Sequence, residues 1–519
     1  MTGAVVVGAG HNGLVAAILL ARAGLDVTVL ESAGVVGGAC RTETPFVNAP
    51  GLRASTGAYL LGLMPPELIE TLQLKVPDDL PLVRRDPHYF LPTLDGRHLL
   101  LGGDREQARR MFADFFSDTD AEADERLATE IGALRDDLGP AWLADPLPLE
   151  DTAERYVRRE LREVFTDLVR GSAMDYLNRF GFASETVLAM YAVTDGMPGL
   201  TGSPWSPGSG HNFLVHNMCR LPGAGGTWMV VRGGMGTVTQ LLARRATEAG
   251  VTIRLNTPVE RIAVTGGTAT GVHTADGDEF PADVVLVATD PFRIPALLGD
   301  AAPRWLLDRV STWTARSPGQ TMKVNLALSG LPVFAALPEP KGQHGTTVHL
   351  LPPPAADGSV LTALREAFAA ATAGRVDATP PLEWYLHSEL DPSLRDEHGN
   401  HSSALFVQGV PHTPADSDWD TEKPAFVARL LDLVAAYAPG IHDLVVDVNA
   451  LAPDEIESHF GITGGNIHHV DNAISFTDRM PYRAGVDGVY AGSAGCFPAG
   501  SVIGAAGHNA AQAILSDLT

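Results

Sequence analysis

Apolar positions along this chain follow two periods, and where they switch marks out the elements. AVVV at 4–7 and DVTVLE at 26–31 are short β-branched runs, and between them LVAAILLARAG repeats its apolar residues at helical spacing. The glycine turn GAGHNG at 8–13 joins the first run to the helix, so the opening reads strand, turn, helix, strand. An acidic helical stretch follows from Asp104 to Leu138, and helices are also expected in RYVRRELREVFTDLV and SETVLAMYAV. TGSPWSPGSGHNFLVHNMCRLPGAGGTW is rich in glycine, proline and small polar residues and reads as ordered loops around a cavity or a hinge. VVRGGMGTVTQLLARRATEAG then predicts a glycine turn and helix, VTIRLNTPVERIAV a strand pair, and TATGVHTADGDEFPADVVLVATD a hairpin leading to a buried strand. MKVNLALS, TVHLL, LEWYLHSEL and ALFVQGV are strands of a mainly β platform, and the chain closes with strand GVYAGSAG and a turn feeding a small-residue helix.

The opening unit carries chemistry. Gly8 allows a tight turn, Gly10 lets backbone approach a pyrophosphate, and Gly13 lets the helix pack on the strand; Asn12 belongs to the same cofactor-binding turn. Glu31 falls 18 positions after Gly13, at the end of the second strand, where a carboxylate accepts both ribose hydroxyl protons. The next residues, SAGVVGGACRTE, bring Gly37 and Gly38 against the pyrophosphate and offer the Arg41 guanidinium to it, an extension that favours FAD over NAD. The bland reading of Arg41 is a surface ion pair. VRGGMG at 231–236 lacks a preceding strand and a ribose acid in the right context, which argues against a separate NAD site.

Composition narrows the rest. Over 519 residues, hydrophobic residues make up 45% and charged ones 19%, a balance that buries a large core. A net charge of −25 opposes nucleic-acid binding. Cys40, Cys219 and Cys496 are isolated, without zinc or disulfide spacing, which with no leader or membrane span recognised suggests a reducing, cytoplasmic setting. Met111, Phe112, Phe115 and Phe116 could touch a membrane, but the surrounding acids favour a core face; peripheral contact stays open, and oligomeric state is not legible. The adjacent His468 and His469 lack acidic or cysteine partners at ligand spacing, so no metal is expected.

GAGHNGLVAA…LARAGLDVTVLE…GGAC resembles the FAD-dependent phytoene desaturase and amine oxidoreductase superfamily. GGNIHH at 464–469, RSPGQTMKVNLAL at 316–328, SPWSPGSG at 203–210 and AGSAGCFPAGSVIGAAGHNAA narrow the likeness to a branch of bacterial desaturase-like proteins, nearly end to end. The resemblance implies an α/β fold with α+β insertions. A Rossmann-like FAD-binding domain of the glutathione-reductase type would be assembled from discontinuous segments 1–75, 228–295 and 465–519. A mixed β-sheet and helical substrate domain would comprise 76–227 and 296–464. It implies that Val259 meets adenine through its main chain, the bland alternative being a core valine. It also implies that Gly492, Val502 and Ile503 belong to the flavin site, with the last helix's N-terminus aimed at flavin N1 and the C2 carbonyl. Where the branch has histidine, proline and a glycine run, this chain has Cys496 to Ser501; the side chains of Ala499 and Ser501 would crowd the flavin edge, which weakens a carotenoid-like implication.

The implied activity is an FAD-dependent oxidoreductase taking hydride from a C–C or C–N single bond of a largely apolar small molecule to flavin N5, with oxygen or a quinone as acceptor ahead of NAD. Alternatives are redox-neutral isomerisation or reduction by reduced FAD, and a flavoprotein whose role is structural. His216 and His469 are the candidate catalytic acids or bases; the bland reading of each is a hydrogen-bonded loop histidine.

Overall fold

The computed structural model describes residues 2–314 and 318–519. Arg316 and Ser317, which open the RSPGQTMKVNLAL motif, lie outside the described residues. The fold is α/β. Five parallel strands form one sheet in the order Val489–Ala491, Val284–Val287, Gly3–Val7, Asp26–Leu30, Thr252–Arg254, so strands from three distant stretches of chain lie side by side. Gly3–Val7 is central and almost fully buried, as a β-branched run flanked on both sides must be. Helix His11–Arg22 packs beside it and crosses the last helix, Ala505–Asp517, at backbone contact: a Cβ on Gly507 would sit 2.0 Å from the Asn12 carbonyl oxygen. The Asn12 side-chain oxygen accepts from the Gly507 amide at 3.2 Å, tying the first helix to the last.

A second, seven-stranded sheet runs Val445–Leu451, Thr321–Leu328, His401–Gln408, Leu382–Tyr385, Thr347–Leu350, Tyr89–Pro92, His98–Leu101. All its pairings are antiparallel except Thr347–Leu350 with Tyr89–Pro92. Its strands alternate. Met322, Val324, Leu326, Val348, Leu382, Trp384, Leu405 and Val407 enter one apolar core with Phe334, Trp419 and Phe426, while Lys323, His349, Glu383, Tyr385 and Phe406 take the opposite face. Helices Arg105–Phe115 and Asp118–Leu138 start at side-chain caps from Asp104 and Ser117, and Phe112 is buried against Phe116 at 4.8 Å, which places the aromatic cluster in a core.

Two expectations change. The glycine- and proline-rich stretch taken as loops contains a helix, Ser209–His216. Its composition misleads because the glycine serves packing: a Cβ on Gly210 would lie 1.9 Å from the Leu168 carbonyl of the neighbouring helix Arg162–Arg170. RYVRRELREVFTDLV is interrupted as well, since helix Leu149–Tyr156 ends at extended Val157 before a new start at Arg162. Among the described residues no helix is long and apolar enough to cross a membrane.

Candidate active site

A cavity of 790 Å³ begins at the first glycine turn and ends against the seven-stranded sheet. At the turn, Gly8 has φ +105° and a Cβ on Gly13 would stand 2.2 Å from the Gly8 carbonyl oxygen, so neither position accepts a side chain without backbone movement. Gly10 is different: a Cβ there meets nothing within 4 Å, because the position faces the cavity. Gly37 donates to the Ala9 carbonyl at 2.9 Å, and with Gly38 it forms the second wall. The Glu31 carboxylate lines this end and accepts from the amides of Ala9 and Ala33, both at 2.8 Å. Asn12, Val259, His216, His469 and Val502 also line the cavity. Gly13, Arg41, Gly492 and Ile503 do not. Gly492 serves close packing, since a Cβ would fall 2.9 Å from that of Ala510, and Ile503 is core. Arg41 donates to the His459 carbonyl at 3.0 Å, pairs with Glu43 at 3.2 Å and lies 5.0 Å over the Phe460 ring.

The donor set fits a dinucleotide carrying a polar ring. His11 Nε2, Thr289 Oγ1 and His469 Nδ1 are buried cavity-lining atoms without a hydrogen-bond partner among the described residues. Buried polar atoms are ordinarily paired, so a ligand is expected to complete them. The last helix begins after left-handed Gly504 with no acid in its first turn, leaving its N-terminal dipole unopposed just beyond Ser501 and Val502. Fully buried Arg479 fixes these loops: it donates to the carbonyls of Val470, Asp471 and Ile474 on one loop and of Ala494 and Cys496 on the other, at 2.8–3.2 Å.

The far end holds groups that the sequence reading did not single out. Phe406 is in register with both Lys323 and Glu383, and Glu383 with His349, so one row across four strands carries Lys323, Phe406, Glu383 and His349. Lys323 Nζ lies 4.1 Å from the Tyr59 ring centre and 3.8 Å from that of Phe406. Burial pulls its ammonium down to about 7, against the opposing pull of Glu383. Burial pushes Glu383 up to about 7, although it accepts the Tyr385 hydroxyl hydrogen bond. Asp195 is likewise raised to about 7 by burial; it sits in a π-helical turn, Ala192–Gly196, at the same wall. His216 and His469 are both lowered to about 4 by burial and are neutral at pH 7, so they hold a proton poorly there. A signal was present in the sequence. MKVNLAL and LEWY each place one charged residue, Lys323 and Glu383, within an otherwise largely apolar strand, and a charge on a buried strand needs a reason. Among the described residues no group of three or more histidine, cysteine or acidic side chains could hold a metal.

Residues 13–307 match the flavin containing amine oxidoreductase family, and residues 234–465 match the FAD dependent oxidoreductase family. The chain is 34% identical to pyridine nucleotide-disulfide oxidoreductase domain-containing protein 2 of Mus musculus, over 99% of this chain and 93% of that one. It is 27% identical to hydroxyneurosporene desaturase of Cereibacter sphaeroides, over 99% and 97% respectively. An oxidoreductase from Methanosarcina mazei shares the fold, with a TM-score of 0.65 at 15% identity over 99% of this chain and 100% of that one.

Proposed function

The chain belongs to the flavin containing amine oxidoreductase family, an FAD-dependent oxidoreductase family, and from that premise we propose that it oxidises a C–C or C–N single bond of a small molecule held between the glycine cradle and the Lys323–Glu383 row. Gly8, Gly10, Gly37, Gly38 and Glu31 would hold the dinucleotide portion of FAD, and Val259 and Val502 would border it. Bound FAD supplies the two-electron acceptor.

The chain's own task is then the proton. Oxidation of such a bond releases one hydride and one proton, and a group that takes the proton works best with a pKa near the operating pH. Glu383 and Lys323 meet that condition where His216 and His469 do not. Glu383 receives the proton with Tyr385 holding its carboxylate in place, and Lys323 steadies the charged form. Tyr59 and Phe406 lie against the ammonium and leave Lys323 little exposed. One observation carries the reading: a single continuous cavity joins the glycine turn to three buried groups with pKa values near neutrality, of which Glu383 and Lys323 share one row of the sheet. So charged a chamber suits a compact substrate with polar groups better than a long polyene. Oxygen or a quinone is the proposed electron acceptor.

Purified protein is expected to carry flavin absorbance or to take up added FAD. Its anaerobic reduction by a panel of small amines, amino acids and unsaturated acids identifies the donor, and reoxidation by oxygen or a quinone identifies the acceptor. Protein that neither carries nor takes up flavin overturns the reading.

A further inference from the structure

Arg85 is the unexplained cation of the chamber. Its side chain is buried, with 6% of the residue exposed, and it lines the cavity opposite the cofactor turn, beside Thr347, Glu383 and Tyr385. Nε donates to the Trp228 carbonyl at 2.9 Å and Nη1 donates to the Thr347 hydroxyl. Neither acceptor carries a charge, and among the described residues Arg85 forms no ion pair. Glu383 exerts a pull on it from a distance, but that carboxylate is engaged by the Tyr385 hydroxyl and lies 3.7 Å from His349 Nδ1. A buried guanidinium that remains charged is strongly disfavoured without an anion. Two of its five donors are committed to uncharged acceptors, no acceptor is seen for the other three among the described residues, and the residue lines the cavity, where a carboxylate is the natural planar partner for a guanidinium.

We propose that Arg85 is the receptor for a carboxylate on the substrate, so that the enzyme acts on small organic acids whose reacting bond lies between this anchor and the cofactor cradle. This rests on the proposed function for where the reacting bond lies, though not for the anion site itself. The neighbouring donors suit the assignment: the Thr347 hydroxyl and the Lys323 ammonium lie on the same sheet face, where a bound carboxylate would share their field. Tyr89, stacked on His349 at 4.2 Å, walls the anchor with an aromatic face that suits the hydrocarbon part of such an acid.

Calorimetric titration of the flavin-containing protein with butanoate and benzoate, against butanamide and benzamide, tests the assignment without any turnover. The carboxylates are expected to bind at least roughly tenfold more tightly than their amides, since an ion-pairing hydrogen bond is exchanged for a neutral one. Arg85→Gln should remove that preference with flavin content unchanged, and Arg85→Lys should restore part of it. Equal binding of acid and amide to the wild-type protein, no binding of either, or an undiminished preference in a folded Arg85→Gln protein overturns the proposal. The wild-type comparison stands even if the glutamine variant does not fold. Flavin content, read separately by absorbance, reports on the proposed function: protein without flavin that still prefers carboxylates refutes that reading and leaves the anion site standing.

Discussion

Lys323→Met should stabilise this protein while slowing its turnover. The ammonium's pKa falls from 10.5 to about 7 because the residue is only 6% exposed, a desolvation that outweighs the pull of Glu383. A fall of about 3.5 units at 1.36 kcal/mol per unit amounts to roughly 5 kcal/mol against the charged form. Because the folded-state pKa is the lower one, the unfolded chain binds more protons between about pH 7 and pH 10.5, and stability rises with pH across that window. The penalty is complete below pH 7, still about 4 kcal/mol at pH 7, and under about 1 kcal/mol by pH 10. Methionine has similar length and no charge, so the variant escapes the penalty. With an unfolding entropy of about 1.1 kcal/mol/K for 519 residues, the gain at pH 7 is about 4 °C in melting temperature. Loss of Lys323 also removes a favourable neighbour from ionised Glu383, which shrinks the gain further on the alkaline side. Melting curves of both proteins, flavin-saturated, from about pH 6 to pH 10 measure the difference. A variant that is less stable throughout, or a difference that does not change with pH, refutes the account of Lys323 as a desolvated cation.

Gly13→Ala should fail to fold or to bind flavin, because its Cβ would meet the Gly8 carbonyl oxygen at 2.2 Å, whereas Gly10→Ala should fold with near wild-type melting yet bind FAD more weakly by equilibrium dialysis. Glu383→Gln keeps a partner for Tyr385 but cannot take up a proton, so the rate of flavin reduction should drop at least about a hundredfold and lose its pH dependence near neutrality in stopped-flow traces. Arg479→Met leaves five backbone carbonyls without their donor and should lower stability by more than about 3 kcal/mol in denaturant titration.

What the sequence disclosed follows from range. Ala4 to Glu31 is a local unit, its strand and helix periods and glycine spacing contained in 28 residues, and each element appears where the pattern puts it. The closing strand and helix were legible for the same reason, since GVYAGSAG and the small-residue run bear their own signals. Ser209–His216 is not legible as a helix because Gly210 looks like a loop residue until the neighbouring helix is present to require it. The chamber was hidden for a different reason. Lys323 and Glu383 are 60 positions apart and meet only because Phe406 is in register with both, and register between distant strands leaves no mark at either site. His216 and His469 suggest themselves from the solution pKa of imidazole, which burial lowers, while the same burial brings a lysine and a glutamate to about 7.

A crystal structure of the FAD-loaded protein tests the central claim most directly. The account predicts the adenosine ribose against Glu31 and the flavin ring system in the part of the cavity faced by Lys323, Tyr59 and Val502, with Glu383 and Arg85 left free beyond it for the substrate. A ring system that fills the space beside Glu383 and Arg85, or that lies away from the Lys323 row, would contradict it.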